Sequence, residues 1–215
     1  LELSSIRASQ GLGKQILSAF ALSGAHGAVL DLSLNSSKNS IEKIKAEVRD
    51  AGLPPPKLRA YECDTSSEEA VKSTFAQVVK DFDKVDIVCT NAGITGGAPA
   101  EKYGLEDWKK MFEVNVHGSF LVARDAGKHM LKKYIKGSII MVSSMSGSIV
   151  NQPQKQSAYN AVRQPELPIS RAATDADRIL VQGGRDPNDE VVCRRMGSPW
   201  HPRQYALVGL YLNPC

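Results

Sequence analysis

Leu12, Ile16 and Phe20 stand four residues apart behind Gly11, and the run stops at Gly24. Apolar residues at that spacing line one face of a helix, and a glycine ends it. Ala28-Val29-Leu30-Asp31-Leu32 follows, a short apolar run of the kind buried in a parallel sheet. Ile41, Ile44 and Val48 mark a second helix, closed by Gly52 and Pro54 to Pro56. Leu58 to Cys63 reads as a strand. Ser66 with Glu69 has capping-box spacing, opening a helix that turns Val71, Phe75, Val78 and Phe82 inward. Val85 to Cys89 predicts a strand, Leu105 to Lys133 a long helical region, and Ile139 to Val142 a further strand. Strand and helix alternating at this pitch predict an α/β fold, a Rossmann-like doubly wound parallel sheet. Leu1 to Ile6 is left as the first strand, which lies in the middle of such a sheet yet is shorter and more polar than a central strand should be.

The pattern changes past Ala161. Pro165, Pro168, Gly183-Gly184, Pro187, Pro199 and Pro202 break the chain too often for long regular elements, and only Ala206 to Leu212 is plainly apolar. The first 161 residues hold 16 Lys and 4 Arg, whereas the last 54 hold no Lys and 7 Arg. Such a switch points to a tail of different origin, through altered splicing, a frameshift or a faulty gene model. The 215 residues otherwise suffice for one core. No apolar run approaches the roughly 20 residues of a membrane helix, and no charged-then-apolar leader opens the chain, so a cytoplasmic protein without membrane partners is expected. The net charge of +4 has no clustered basic face behind it: Lys132, Lys133 and Lys136 end a helical segment, where cations suit the dipole. Nucleic-acid binding is not expected. Cys63, Cys89, Cys193 and Cys215 lack metal-ligand spacing, so neither a metal site nor a disulfide framework is expected.

Chemistry concentrates at four places. Gly11-Leu12-Gly13 lies where a glycine turn between strand and helix lets backbone N–H groups meet a pyrophosphate. Asp31 ends the second strand 18 residues beyond Gly13, close to the spacing of an acidic residue that accepts a ribose 2′-hydroxyl. A carboxylate there repels a 2′-phosphate, which makes NAD the expected cofactor and NADP the alternative. Ser144 follows the apolar run ending at Val142-Ser143, and Tyr159 follows a polar loop containing Pro153. Serine and tyrosine so placed converge at the carboxyl edge of a parallel sheet, where a hydroxyl beside a tyrosine serves proton exchange with a carbinol or carbonyl.

Ser144, Ser157-Ala158-Tyr159-Asn160, Asn115 within Val114-Asn115-Val116, and Thr90-Asn91-Ala92-Gly93 together resemble the short-chain dehydrogenase/reductase family. The wording from Ser143 to Gly147 and from Ile149 to Gln154 is similar to that of fungal polyol dehydrogenases and ketose reductases: mannitol or arabinitol dehydrogenase, sorbose or xylulose reductase. The resemblance runs from about Ala8 to Ala161. It implies a dinucleotide-binding and catalytic unit over 1–161, with 162–215 replacing the family's last helices and strands and leaving the sheet incomplete at its carboxyl end. It implies hydride transfer between a nicotinamide cofactor and a sugar alcohol or ketose. Tyr159 would be acid in ketose reduction and base in polyol oxidation, Ser144 would hold the substrate oxygen, and Asn115 would bind a relay water. Asp64 would contact adenine, and Asn91, Ala92 and Gly93 would pass beside the cofactor ribose. Gly97 to Pro99 and Gln152 to Gln156 would border a polar substrate pocket. The resemblance further implies dimers or tetramers, and the altered tail leaves a homo-oligomer open.

Three positions depart from the family pattern. Ile6 and Arg7 stand where members carry Thr-Gly, and Arg163 stands where a lysine, one helical turn after the tyrosine, lowers the phenol's pKa and binds the nicotinamide ribose. A guanidinium keeps the charge but does not surrender a proton near neutral pH. Alternatives to an active enzyme are therefore a catalytically impaired dinucleotide-binding protein and an unstable truncated product.

Overall fold

The computed structural model describes residues 2–6, 9–147, 152–163 and 178–181, with side chains over 9–147 and 152–163. Strands β1 (Glu2–Ile6), β2 (His26–Asp31), β3 (Leu58–Glu62), β4 (Ile87–Thr90), β5 (Gly137–Met141) and β6 (Arg178–Val181) form one sheet in the order β3-β2-β1-β4-β5-β6. The first five pair in parallel, joined by helices α1 (Gly11–Leu22), α2 (Leu34–Asp50), α3 (Glu68–Phe82), α4 (Leu105–Phe112) and α5 (Ser119–Lys132), and α6 (Ser157–Val162) follows β5. The doubly wound α/β expectation holds, and β1 is central as the pattern required. The strand order reverses between β1 and β4, so their carboxyl ends border the crevice where open α/β sheets bind ligands.

Alternation along β2 builds both faces. Val29 packs with Leu17, Phe20, Ile41, Ile44 and Val48 of α1 and α2. Ala28 and Leu30 point the other way, into Val71, Phe75 and Val78 of α3 and Val122 and Ala126 of α5. A third, smaller cluster of Met111, Val116, Ala158 and Val162 seats α6 against the α4 end.

Several sequence expectations are corrected. Leu12 does not join the inner face of α1: it is 60% exposed, and Gly13, Leu17, Phe20 and Ala21 face the core instead. The cap of α3 is Ser67, whose Oγ accepts from the Ala70 N–H, because Asp64 Oδ1 takes both the N–H and the hydroxyl of Ser66. The region from Leu105 to Lys133 is not one α-helix, since Glu113–Gly118 forms a π-helical turn between α4 and α5. Past Ala161, where the breakers leave room for no long regular element, the four residues Arg178–Val181 are an addition to the expected pattern and not a correction of it, lying antiparallel on β5 with Ile140 opposite Arg178 and Gly137 opposite Val181. Four residues suffice because β5 supplies the ladder. Ala206 to Leu212, Cys193, Cys215, Arg7 and the remainder of the tail fall outside the described residues. No helix among the described residues is long and apolar enough to cross a membrane.

His129, near the end of α5, meets Phe75 edge-on with ring centroids 5.8 Å apart, and its Nε2 is buried without a hydrogen-bond partner. Burial, with Lys133 nearby, lowers its pKa against the smaller opposing pull of Asp83 and Asp86. The unfolded chain therefore binds the proton first as pH falls. The His129 contribution is complete above its ordinary value of about 6.5 and is lost below it, until the folded form also protonates. Urea melts at pH 7.5 and 5.5, as rough choices either side of that value, should show a smaller stability loss in His129→Gln than in the unmodified chain. Equal losses would remove the buried imidazole from the account.

Candidate active site

Gly11 opens α1 with φ of +57°, a left-handed conformation that favours glycine, and Gly13 is buried beneath it. Leu12 stands exposed between them. Across the crevice edge, Asp31 at the end of β2 is only 7% exposed and accepts the Ser9 hydroxyl at 2.6 Å and, more weakly, the Ser33 N–H at 3.4 Å. A carboxylate offers about four lone-pair positions, so it keeps acceptor capacity for a ribose hydroxyl. Asp64, after β3, is exposed and commits one oxygen to the turn that starts α3.

The other half of the site is built around Asn115. Its amide staples the loop after β4: Oδ1 accepts from the Ile94 N–H at 2.7 Å, and Nδ2 donates to the Ile94 carbonyl at 2.9 Å. Nδ2 also lies 3.0 Å from the Met111 sulfur. The π-helical turn presents Asn115 to that loop, and its own carbonyl accepts the Ser119 hydroxyl at 3.0 Å. Asn91, Ala92 and Gly93 lead out of β4 into the same loop. A Cβ on Gly93 would lie 2.9 Å from Arg163 Nη2 and 3.2 Å from Asn115 Oδ1, so loop, π-turn and α6 converge there.

Ser144 sits two residues past Val142, and its Oγ accepts from the Ser146 N–H at 3.2 Å inside the short 3₁₀ turn Met145–Gly147. Tyr159, half-buried on α6, packs against the third cluster. The Arg163 guanidinium lies 5.3 Å from the Tyr159 ring centroid, and its Nη1 donates to the Val142 carbonyl at 3.0 Å. Arg163 thus holds a fixed positive charge beside the phenol ring and ties α6 to the end of β5. At the outer rim, Gln156 Nε2 donates to Thr95 Oγ1 at 3.0 Å and Ala98 pairs with Gln156 in an isolated bridge, bringing the two loops expected to border substrate together.

Among the described residues, eight side-chain polar atoms are buried without a hydrogen-bond partner, and five of them, Thr90 Oγ1, Ser143 Oγ, Ser157 Oγ, Asn160 Oδ1 and Arg163 Nε, lie at the carboxyl ends of β4 and β5 or on α6 and its C-cap, whereas Asp125 Oδ2, His129 Nε2 and Ser138 Oγ lie elsewhere. Buried polar groups ordinarily find partners, so this concentration marks a place that accepts a polar ligand. With the left-handed glycine and the Asp31 acceptor at the other end, the residues present fit a dinucleotide. Among the described residues the thiols do not contribute a nucleophile: burial pushes Cys89 up to about 12 and raises Cys63 as well. Sequence reasoning missed Ser9, Ile94 and the Val142 carbonyl, because two of them act through backbone atoms and Ser9 carried no periodicity or charge.

A profile of the family described as short chain dehydrogenase matches residues 6–164. A probable NADP-dependent mannitol dehydrogenase of Yarrowia lipolytica is 36% identical over 166 residues, covering 76% of this chain and 57% of that protein. An NADH-dependent L-xylulose reductase of Ambrosiozyma monospora is 36% identical over 154 residues, covering 70% and 57%. The chain spans between half and two thirds of the length of the curated relatives it matches. Among solved structures, an NAD⁺-bound xylitol dehydrogenase superposes with TM-score 0.64 at 31% identity, covering 75% of this chain and 59% of that one. A short-chain type dehydrogenase/reductase from Mycobacterium marinum gives 0.68 at 29% identity, covering 75% and 63%. The glycine turn, the Asn115 staple and the Tyr159–Arg163 pair all fall within the matched stretch, and the chain belongs to the short-chain dehydrogenase family.

Proposed function

We propose that this chain is an oxidoreductase that moves hydride between a nicotinamide cofactor and a sugar alcohol or ketose, with NAD preferred over NADP. The observation that carries the reading is the cluster of unpartnered buried polar atoms around Tyr159 and Arg163 at the β4 and β5 ends. The names of the relatives support the substrate class, and they divide between NADP and NADH. Gly11, Leu12, Gly13, Asp31, Asp64, Asn91, Ala92 and Gly93 would hold the dinucleotide. Hydride-donor or hydride-acceptor chemistry at the substrate carbon would be supplied by the dinucleotide held there.

The chain's own groups handle the oxygen. Ser144 Oγ holds the carbinol or carbonyl oxygen, and the Tyr159 hydroxyl gives it a proton in ketose reduction or removes one in polyol oxidation. Arg163 keeps its charge beside the ring but does not release a proton at physiological pH, so Tyr159 re-equilibrates with water by a route that bypasses the guanidinium. A catalytically impaired dinucleotide binder is the second reading, favoured by one observation: Arg163 Nη1 is already committed to the Val142 carbonyl. Thermal melting with NADH and turnover with a polyol panel separate the two. A melting shift without turnover selects the binder, and neither response removes both.

Cofactor choice follows from Asp31. Calorimetry should find NADH bound more tightly than NADPH, and Asp31→Ser should narrow the ratio by about tenfold, or about 1.4 kcal/mol, by removing the charge opposed to a 2′-phosphate. Tighter NADPH binding by the unmodified chain would overturn the preference.

A further inference from the structure

We infer that Ser9 is a positioning residue for cofactor choice: its hydroxyl fixes the Asp31 carboxylate, while Ser40 anchors the turn that carries Ser9. This rests on the NAD preference proposed above and adds the residues that enforce it. Ser9 Oγ donates to Asp31 Oδ2 at 2.6 Å, and Ser40 Oγ, on α2, donates to the Ser9 carbonyl at 2.5 Å. The end of β2, the glycine turn and α2 are thereby closed into one hydrogen-bonded unit.

The physical need for such a unit is specific. A carboxylate alone at the end of a strand can relieve repulsion from a 2′-phosphate by swinging away, and discrimination then falls. Asp31 is 7% exposed, and a short bond from a hydroxyl to an ionised carboxylate is of the stronger, charge-assisted kind. Swinging away would break that bond and leave a buried charge unpaired. Ser9 therefore keeps the negative charge where the ribose binds. Only Oδ2 receives the Ser9 hydroxyl, and lone pairs remain for a vicinal diol.

Ser9→Thr and Ser9→Val, nearly equal in shape, differ by the hydroxyl, so comparing them in the full chain by calorimetry with NADH and NADPH isolates the bond. Ser9→Thr should keep the NADPH-to-NADH ratio of dissociation constants within about twofold of the unmodified chain. Ser9→Val should lower it by about tenfold, chiefly by improving NADPH. Ser40→Ala should weaken both cofactors by a similar factor, since it loosens the turn without freeing the charge. A Ser9→Val chain that prefers NADH as strongly as Ser9→Thr overturns this inference and leaves the NAD preference standing. An unmodified chain that prefers NADPH, or binds neither dinucleotide, overturns both.

Discussion

Tyr159→Phe is expected to lower polyol oxidation and ketose reduction by about 10²–10⁴-fold, the usual contribution of a positioned proton donor. NADH affinity should stay within about twofold, because in the proposed mechanism the phenol acts on the substrate oxygen. The ring itself belongs to the packed cluster around Met111, Ala158 and Val162, and phenylalanine preserves that contact and the stacking of Arg163. A stability change is therefore not expected, which separates a chemical effect from a packing effect. Single-turnover measurements at saturating NADH read the step directly. Activity retained within about twofold would transfer proton exchange to another group, with Ser144 the first to examine.

The parts of this site that could be read from the sequence are those with a spacing rule behind them. Helix and strand order followed from apolar periodicity, since each amphipathic face has one sheet face to cover. Asp31 and Tyr159 were visible because each stands at a fixed offset from a recognisable turn or strand. Leu12 shows how such a rule fails. At the first turn of a helix a four-residue spacing fits two neighbouring faces, and the face through Leu17 and Phe20 buries more surface. Ser66 and Ser67 were both eligible caps, and the choice fell to Asp64, whose side chain captured the first of them. The Asn115 staple joins atoms 21 residues apart, one partner being backbone, and no pattern along the chain encodes it. Strand β6 was missed for a related reason: its four residues become a strand through the neighbouring ladder, not through their own period.

Gly147→Ala is expected to be the most damaging small substitution near the site. A Cβ there would collide with the Arg163 carbonyl oxygen and stand 2.5 Å from its carbonyl carbon. Both are backbone atoms, so no rotamer change relieves the contact and the end of α6 must move. Overpacking of this kind costs about 1–3 kcal/mol, and occasionally more. For a chain of this size that corresponds to a fall in melting temperature of roughly 2–12 °C. The functional effect should exceed the stability effect, because α6 carries Tyr159 and ends at Arg163, and the Arg163 bond to the Val142 carbonyl sets their distance from β5. A displacement of about 1 Å in a catalytic group can lower turnover about 10²-fold. Turnover should drop by at least that factor, while the NADH-over-NADPH preference proposed for Asp31, on the far side of the crevice, should survive. Gly104→Ala is the control: its nearest contact, at 3.2 Å, is the flexible Asp107 carboxylate, which can yield. Full turnover in Gly147→Ala would mean that α6 accommodates the methyl group without moving Tyr159, and the tight seat assigned to this helix would have to be abandoned.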